Sequence, residues 1–414
     1  MNTSPGVSAT RRASGLVRLL PVLTCAAVLG ACTTAPVTQS RSPPIRHVFV
    51  VVLENEEFEN SFGDRSPAPY LKALTSQGAL LPNYYGTSHY SLGNYLSLIS
   101  GQAPNPVTNG DCEVFEDFVL TGTTPDGQAI GHGCVYPAGV RTIANQLEDA
   151  DLSWKAYMED MGNNPQREGA TCGHPPIGAP DNTQVAERGD QYATRHNPFV
   201  YFHSIIHTPS CARSVVNLRE LAGDLRTIET TPNFVFISPN LCHDGHDGTD
   251  GGRCVDGEPG GMIGAGQFMS QLVPQILASP AFQRDGLLII TFDESEIDEH
   301  VDRSSGATVF EGDATACCDE QPGPNIPAYR AGAVASWERM NGPGIIGPGG
   351  GRVGAVLISP YILPGTVSAT PYNHYALLRS VEDIFGLQHL GYAGQPGLVG
   401  FGADVYTRPS GPQD

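Results

Sequence analysis

Residues 45–53 read IRHVFVVVL, and Glu54 and Asn55 follow at once. A run this apolar and β-branched, with no alternation, predicts a strand covered on both faces, as inside a parallel sheet. Asn233–Ile237 (NFVFI) and Gly286–Phe292 (GLLIITF) have the same character. Helical spacing predicts helices over Pro69–Gln77, Ser91–Ser100, Arg141–Ala150, Val215–Ile228, Gln267–Ala278 and Tyr375–Phe385, with further strands at Ser153–Tyr157 and Val353–Ser359. The alternation predicts an α/β fold, a three-layer α/β/α sandwich with a mainly parallel central sheet. The Gly/Pro/Asp-rich stretches 104–139, 160–190, 242–262 and 296–351 are expected to be loops. No repeat or linker interrupts residues 45–410, so a single domain is expected there.

The 414 residues include 49 glycines and 34 prolines without a collagen-like period, which implies many ordered loops. The hydrophobic share of 40% is enough for a large core. A formal charge of −20, with Lys72 and Lys155 the only lysines, argues against nucleic-acid binding. A small phosphate substrate stays compatible, because a bound cation reverses the local field.

Arg11, Arg12 and Arg18 precede an apolar stretch from Leu19 to Leu29, too short to span a bilayer permanently. It ends in Leu29-Gly30-Ala31-Cys32, which resembles a bacterial lipobox. Residues 1–31 are therefore expected to be a signal peptide, Cys32 a lipidation site, and 32–44 a tether to the cell envelope. An ordinary secretory cleavage near Ala31 is the alternative. Export agrees with the eight remaining cysteines, an even set expected in disulfides. Cys112 with Cys134 and Cys242 with Cys254 are the local choices, and Cys172 with Cys211 is a further pair. The adjacent Cys317 and Cys318 are not expected to pair. A zinc cluster is disfavoured, since no CxxC occurs.

In open α/β sheets ligands bind beyond the carboxyl ends of strands. Three buried-type strands here run into polar clusters: Glu54-Asn55, the segment Ser238 to Asp247 containing His243 and His246, and Asp293-Glu294. Any one could be a helix cap or loop solvation; three on one sheet edge point to a metal site. The donors are hard oxygens with imidazole at hand, which suits Mg, Mn, Ca or Zn, one ion with room for a second. Ser91 stands at the start of an expected helix, where free N–H groups and the helix dipole favour phosphate. Alone it would be read as an N-cap. With the acidic cluster it becomes a candidate nucleophile, with Asn94 one turn along as a donor to phosphoryl oxygen. Thr87 and Ser88 are reserve nucleophiles. His203 and His207, at i and i+4, are expected in core or surface roles. The acidic residues Asp298, Glu299, Asp302, Glu311 and Asp313 read as a solvated loop, with calcium binding the rarer alternative. Trp154 and Trp337 are too few for a stacking platform.

Several segments together resemble the bacterial phosphoesterase family of the alkaline-phosphatase superfamily, which includes acid phosphatases and phospholipases C. They are VVVLENEEFENSFG, APYLKAL, SHYSLGNYLSLISG, WKAYMED, RHNPFVYF, FISPNLCHDGHD, GLLIITFDES and YNHYALLRSVEDIFGL, spread over residues 48–390. The resemblance implies an alkaline-phosphatase-like sandwich. It implies that Glu54, Asn55, Asp293 and Glu294 hold a divalent metal together with Ser91, the nucleophile, and that Asn94 contacts phosphate. His243, His246 and Asp247 match the histidine-rich segment, and His374 resembles a further site histidine; His196, in a His-Asn-Pro that matches a family motif, is expected to be a structural hydrogen-bonder before a Pro turn, with contact to the substrate the alternative. The usual motif at the nucleophile is His-Pro-Ser-Leu-Pro-Asn-Tyr, so Tyr90 and Gly93 are departures that bear on substrate preference, and Gly93 is expected to loosen the first helical turn.

The function expected from all this is a metal-dependent, acid-phosphatase-like phosphomonoesterase working through a phosphoserine, with His243 or His246 protonating the leaving alcohol. A phospholipase C or other phosphodiesterase using the same site is the alternative. A non-catalytic surface lipoprotein is a third reading, disfavoured because no ligand or nucleophile is missing. Expected partners are a small phosphate ester or phospholipid, a membrane only through the lipid anchor, no nucleic acid, and a monomeric state. Cys32→Ser is expected to abolish labelling of the chain by radioactive palmitate and to release it from the membrane fraction; label retained in that variant would contradict lipidation.

Overall fold

The computed structural model describes residues 43–246, 252–301, 303–304, 308–326 and 347–408. The expected signal peptide, Cys32 and the tether up to residue 42 lie outside these residues, as do Asp247, Asp302 and Trp337.

Eight strands form the main sheet: β1 His47–Leu53, β2 Ala79–Leu81, β3 Trp154–Met158, β4 Val215–Asn217, β5 Phe234–Ser238, β6 Gly286–Phe292, β7 Ala355–Ile358 and β8 Thr366–Val367. Their order across the sheet is β8-β2-β7-β6-β1-β5-β3-β4. Only β7 runs antiparallel to its neighbours, β2 and β6; the other pairings are parallel. Every residue of β1, β5 and β6 is buried, as strands covered on both faces must be. The cover comes from α1 Pro69–Leu74, α2 Ser91–Ser100, α3 Ile143–Asp149, α4 Gly261–Ala278, α5 Pro280–Asp285 and α6 His374–Phe385. Of these, α1 packs on α4, and α2 on α6. The mixed α/β fold with a mainly parallel central sheet is the one expected.

Two expectations about secondary structure fail. Val215–Ile228 is not one helix: Val215 and Val216 are β-branched and buried, and they extend the sheet by pairing with Ala156 and Tyr157. Asn217 then accepts from Arg219 N at 3.0 Å and turns the chain into short helical turns. The insertions are also more ordered than loops. Val119–Thr123 pairs with Ala129–His132, and Ile297–Val301 with Thr308–Gly312, so Asp298, Glu299 and Glu311 lie on a two-stranded ribbon.

Disulfides join Cys112 to Cys134, Cys172 to Cys211 and Cys242 to Cys254, as read from the sequence. Cys317 and Cys318 are bonded to each other, contrary to expectation: the turn they occupy holds Cys318 at φ 66° and Asp319 at φ 53°, which brings the two side chains together. Disulfides fit an exported protein. Among the described residues no helix is long and apolar enough to cross a membrane.

Leu288 is fully buried in β6 between β1 and β7. Leu288→Ala is expected to lower stability by about 2–5 kcal/mol, read as a fall in the denaturant midpoint. An unchanged midpoint would contradict the two-sided cover of the sheet.

Candidate active site

The three central strands end side by side. Leu53 of β1 is level with Phe292 of β6, and Val51 of β1 with Ile237 of β5. The next residues on each chain therefore share one edge. Glu54 N donates to Asp244 O at 2.8 Å, and Asp293 N to Leu53 O at 2.9 Å, which continues the sheet pattern one step beyond the strands. Asn55 takes a left-handed backbone, φ 47°, a conformation asparagine tolerates better than most residues. Its N–H donates to Asp293 Oδ1 at 3.0 Å, which also accepts from Glu294 N at 2.7 Å.

Helix α2 delivers Ser91 to this edge. Tyr90, at φ 68°, makes the turn into the helix, and Ser91 is its first residue. Ser91 Oγ donates to Glu54 Oε2 at 2.7 Å. One turn along, Tyr95 OH donates to Glu54 Oε1, also at 2.7 Å. His196 Nε2 stands 3.3 Å from the same oxygen, with its ring stacked on Tyr95 at a centroid distance of 5.3 Å. Glu294 pairs with His89 Nδ1 in a short hydrogen bond and accepts from Tyr90 N at 3.1 Å, so it clamps the residues before the nucleophile. His89 is held from its other side by Asp313 O at 3.1 Å. Gly93 is a packing requirement: a Cβ there would lie 2.7 Å from Ser88 Oγ and 3.0 Å from Pro104 Cβ. All ten residues of α2 are buried, so the turn expected to be loosened is instead wedged against this loop.

A cavity of about 290 Å³ opens over Ser91. It is lined by Glu54, Asn55, Tyr90, Ser91, Asp111, Gln184, Arg195, His246, Glu294 and Ile297. Burial, then repulsion from Asp293, pushes the Glu54 carboxyl well above the usual carboxylate range. Burial and then Glu294 do the same to Asp293, and burial and then Asp111 to Glu294. Arg195 is the one arginine or lysine among the lining residues. Its guanidinium donates to Gln184 O at 3.0 Å and lies 3.8 Å from Asp111 Oδ2. Asp111 Oδ1 accepts from Leu92 N at 3.0 Å, at the open end of α2.

The sequence-derived residues separate into two groups. Glu54, Asn55, Ser91, His246 and Glu294 line the cavity, and Asp293 is bound to Asn55 beneath it. The others have turned away. Asn94 accepts from Thr87 N and Ser88 N at 2.8 and 3.0 Å and donates to Ser88 O at 2.9 Å, so it braces the loop before the helix. Thr87 bonds to Ser97, and Ser88 to His89 O. His374 supports Asp293 O from Nε2 at 2.5 Å and meets Tyr84 OH at 3.0 Å; burial drops it to about 4. His243 faces Glu159 at 3.0 Å and stacks on Phe268. Burial lowers its affinity for a proton, but Glu159 and Glu258 reverse this and leave it raised. His203 and His207 bond to each other at 3.2 Å, with Asp117 on His203, away from the cavity lining.

The donor set suits a hard divalent cation. Asp293 Oδ2 and Asn55 Oδ1 are buried oxygens without a hydrogen-bond partner, next to a Glu54–Asp293 pair that repels itself. An unmade hydrogen bond at a buried acceptor costs about 1–3 kcal/mol, which a cation would remove. Among the described residues no three His, Cys, Asp or Glu side chains form a preset cage. The available oxygens include an amide and a hydroxyl, and Glu294 is occupied by His89.

The family model that matches is the phosphoesterase family, over residues 64–388, and the chain belongs to that family. An acid phosphatase of Aspergillus fumigatus is 26% identical over 361 residues, covering 86% of this chain and 58% of the fungal protein. A phosphate-repressible acid phosphatase of Penicillium chrysogenum is 24% identical, covering 86% and 63%. The chain thus spans about three-fifths of the length of these fungal proteins. A phosphatidylinositol-3-phosphatase of Mycobacterium tuberculosis is 23% identical over 382 residues, covering 92% of this chain and 91% of that one. A crystal structure of an alkaline phosphatase superfamily protein from Vibrio parahaemolyticus aligns with a TM-score of 0.43 at 12% identity, over 83% and 67% of the two chains.

Sequence reasoning missed Tyr95, Asp111, Gln184 and Arg195. Tyr95 carried a signal, since i+4 on a helix shares the face of Ser91. Tyr95→Phe is expected to cost about 1–3 kcal/mol by leaving Glu54 Oε1 short of a donor, measured by thermal unfolding; no change would mean that Glu54 does not depend on this bond.

Proposed function

From its membership of the phosphoesterase family and the geometry around Ser91, we infer that the chain hydrolyses phosphoric esters, with a phosphomonoester as substrate. The observation that carries this is the Ser91–Glu54 hydrogen bond of 2.7 Å at the mouth of a cavity that also holds Arg195 and His246. The relatives' names, acid phosphatase and phosphatidylinositol-3-phosphatase, support the same reading.

Ser91 Oγ, oriented by Glu54, attacks phosphorus. The new Oγ–P bond forms as the bond to the alcohol oxygen breaks, which leaves a phosphoserine. Glu54 Oε2 is the first acceptor for the serine proton. Arg195 offsets charge on the phosphoryl oxygens in a cavity whose lining also includes three carboxylates, Glu54, Asp111 and Glu294. His246, the histidine on the cavity wall, gives a proton to the departing alcohol; His243, tied to Glu159, is left out of this step. Water then cleaves the phosphoserine and phosphate is released. Glu54, Asn55 and Asp293 would hold a divalent cation beside Ser91, with Glu294 fixing the turn. Such an ion supplies charge neutralisation and a lowered pKa for the serine hydroxyl. We further propose lipid anchoring through Cys32, which would keep the domain at the cell envelope.

Ser91→Ala is expected to reduce phenyl phosphate turnover at least about a thousandfold with an unchanged unfolding midpoint. Near-normal turnover would refute the nucleophile. Dialysis against a chelator is expected to abolish activity and lower the unfolding temperature, with both restored by one of Mg, Mn, Ca or Zn. Unchanged activity and temperature after chelation would refute the cation.

A further inference from the structure

A second concavity, of about 320 Å³, adjoins the nucleophile cavity. It is lined by Pro106, Val107, Gly110, Glu113, Val114 and Glu116, together with Tyr90, which lines the first cavity as well. Tyr90 is the residue immediately before the nucleophile, and its backbone is set by the Glu294 bond to its N–H. Tyr90, next to Ser91 in the chain, is therefore a wall common to both spaces. This residue is also where the chain departs from the motif it otherwise resembles, with tyrosine in the place of proline.

We propose that this groove is the subsite for the alcohol half of the ester, and that it selects an apolar alcohol without negative charge. The inference rests on the phosphoesterase reading given above. The shared wall at Tyr90 decides the occupant. A phosphoryl group held over Ser91 has its ester oxygen within the first cavity, and a chain attached to that oxygen finds the groove past Tyr90. Chemistry decides the class. Pro106, Val107 and Val114 offer apolar surface, and Val114 keeps 43% of its area exposed, a position at which a bound alkyl or aryl group would gain from burial. Glu113 and Glu116 sit on the same wall, and neither is neutralised by a lysine or arginine lining the groove. His132, 3.6 Å from Glu116, is the basic neighbour there. An anionic alcohol, such as a sugar acid or a second phosphate, would meet this field unfavourably. A neutral or cationic alcohol would not.

The test uses three alkyl monoesters with the same type of leaving oxygen: methyl phosphate, n-hexyl phosphate, and the n-hexyl ester carrying a terminal carboxylate. Methyl phosphate has a single carbon beyond the ester oxygen, so it serves as the ester without a chain for the groove. The wild-type chain is expected to prefer n-hexyl over methyl phosphate at least about tenfold in kcat/KM, and to lose most of that preference with the terminal carboxylate. Val114→Asp places a charge in the groove at a partly exposed position. It is expected to bring the hexyl-to-methyl ratio close to one while leaving methyl phosphate turnover and inhibition by inorganic phosphate within about twofold. Equal kcat/KM for hexyl and methyl phosphate in the wild type would overturn the subsite, as would a ratio untouched by Val114→Asp. Hydrolysis of none of the three esters, nor of phenyl phosphate, would instead refute the phosphoesterase reading, and the subsite with it.

Discussion

Everything at the site depends on a carboxylate kept where water would normally be required. Glu54 lies at the end of a strand buried on both faces, and burial alone pushes its carboxyl toward the neutral form. Two hydroxyls from one helix, Ser91 and Tyr95, donate to its two oxygens. The spacing of those donors, one helical turn, means that α2 can only dock in one register and rotation. The helix therefore brings the nucleophile to the sheet edge because Glu54 demands both partners at once.

Around this pairing, other polar groups are committed to support. Glu294 joins His89 to the turn at Tyr90, Asn94 braces the preceding loop, and His374 holds the backbone of Asp293. Each is buried, so each must be satisfied locally. The oxygens left over, Asp293 Oδ2 and Asn55 Oδ1, are next to the most crowded charges. A site that satisfies its scaffold and leaves acceptors open at the reacting end is arranged for a positively charged occupant.

Much of this was legible in the sequence, because buried parallel strands advertise themselves. IRHVFVVVL and GLLIITF needed no tertiary information, and the acidic residues after them had to share an edge once the strands were parallel. Ser91–Ser100 has the bounds read from its spacing, since Gly101 supplies a left-handed stop at φ 65°. The failures also have physical causes. Val215-Val216-Asn217 precedes a stretch of helix-like apolar spacing at Leu218, Leu221, Leu225 and Ile228, whereas edge pairing with β3 decides its conformation. Asn94, His243 and His374 carry the right chemical groups, but sequence cannot tell which way a side chain turns, and all three turn to neighbours other than the cavity. Asp111 lies in the 104–139 stretch expected to be a loop and Arg195 outside the expected strands and helices; no periodicity connects them to Ser91, and only the folded chain does.

The central claim is that the Ser91 oxygen, held by Glu54, is the atom that attacks phosphorus. The most direct measurement is acid quenching during turnover of an aryl phosphate, followed by peptide mass spectrometry. The account predicts an added phosphoryl group on the peptide containing Ser91, located to that residue by fragmentation. A phosphoryl group on Thr87 or Ser88 instead, or no covalent adduct at any quench time despite rapid turnover, would contradict it.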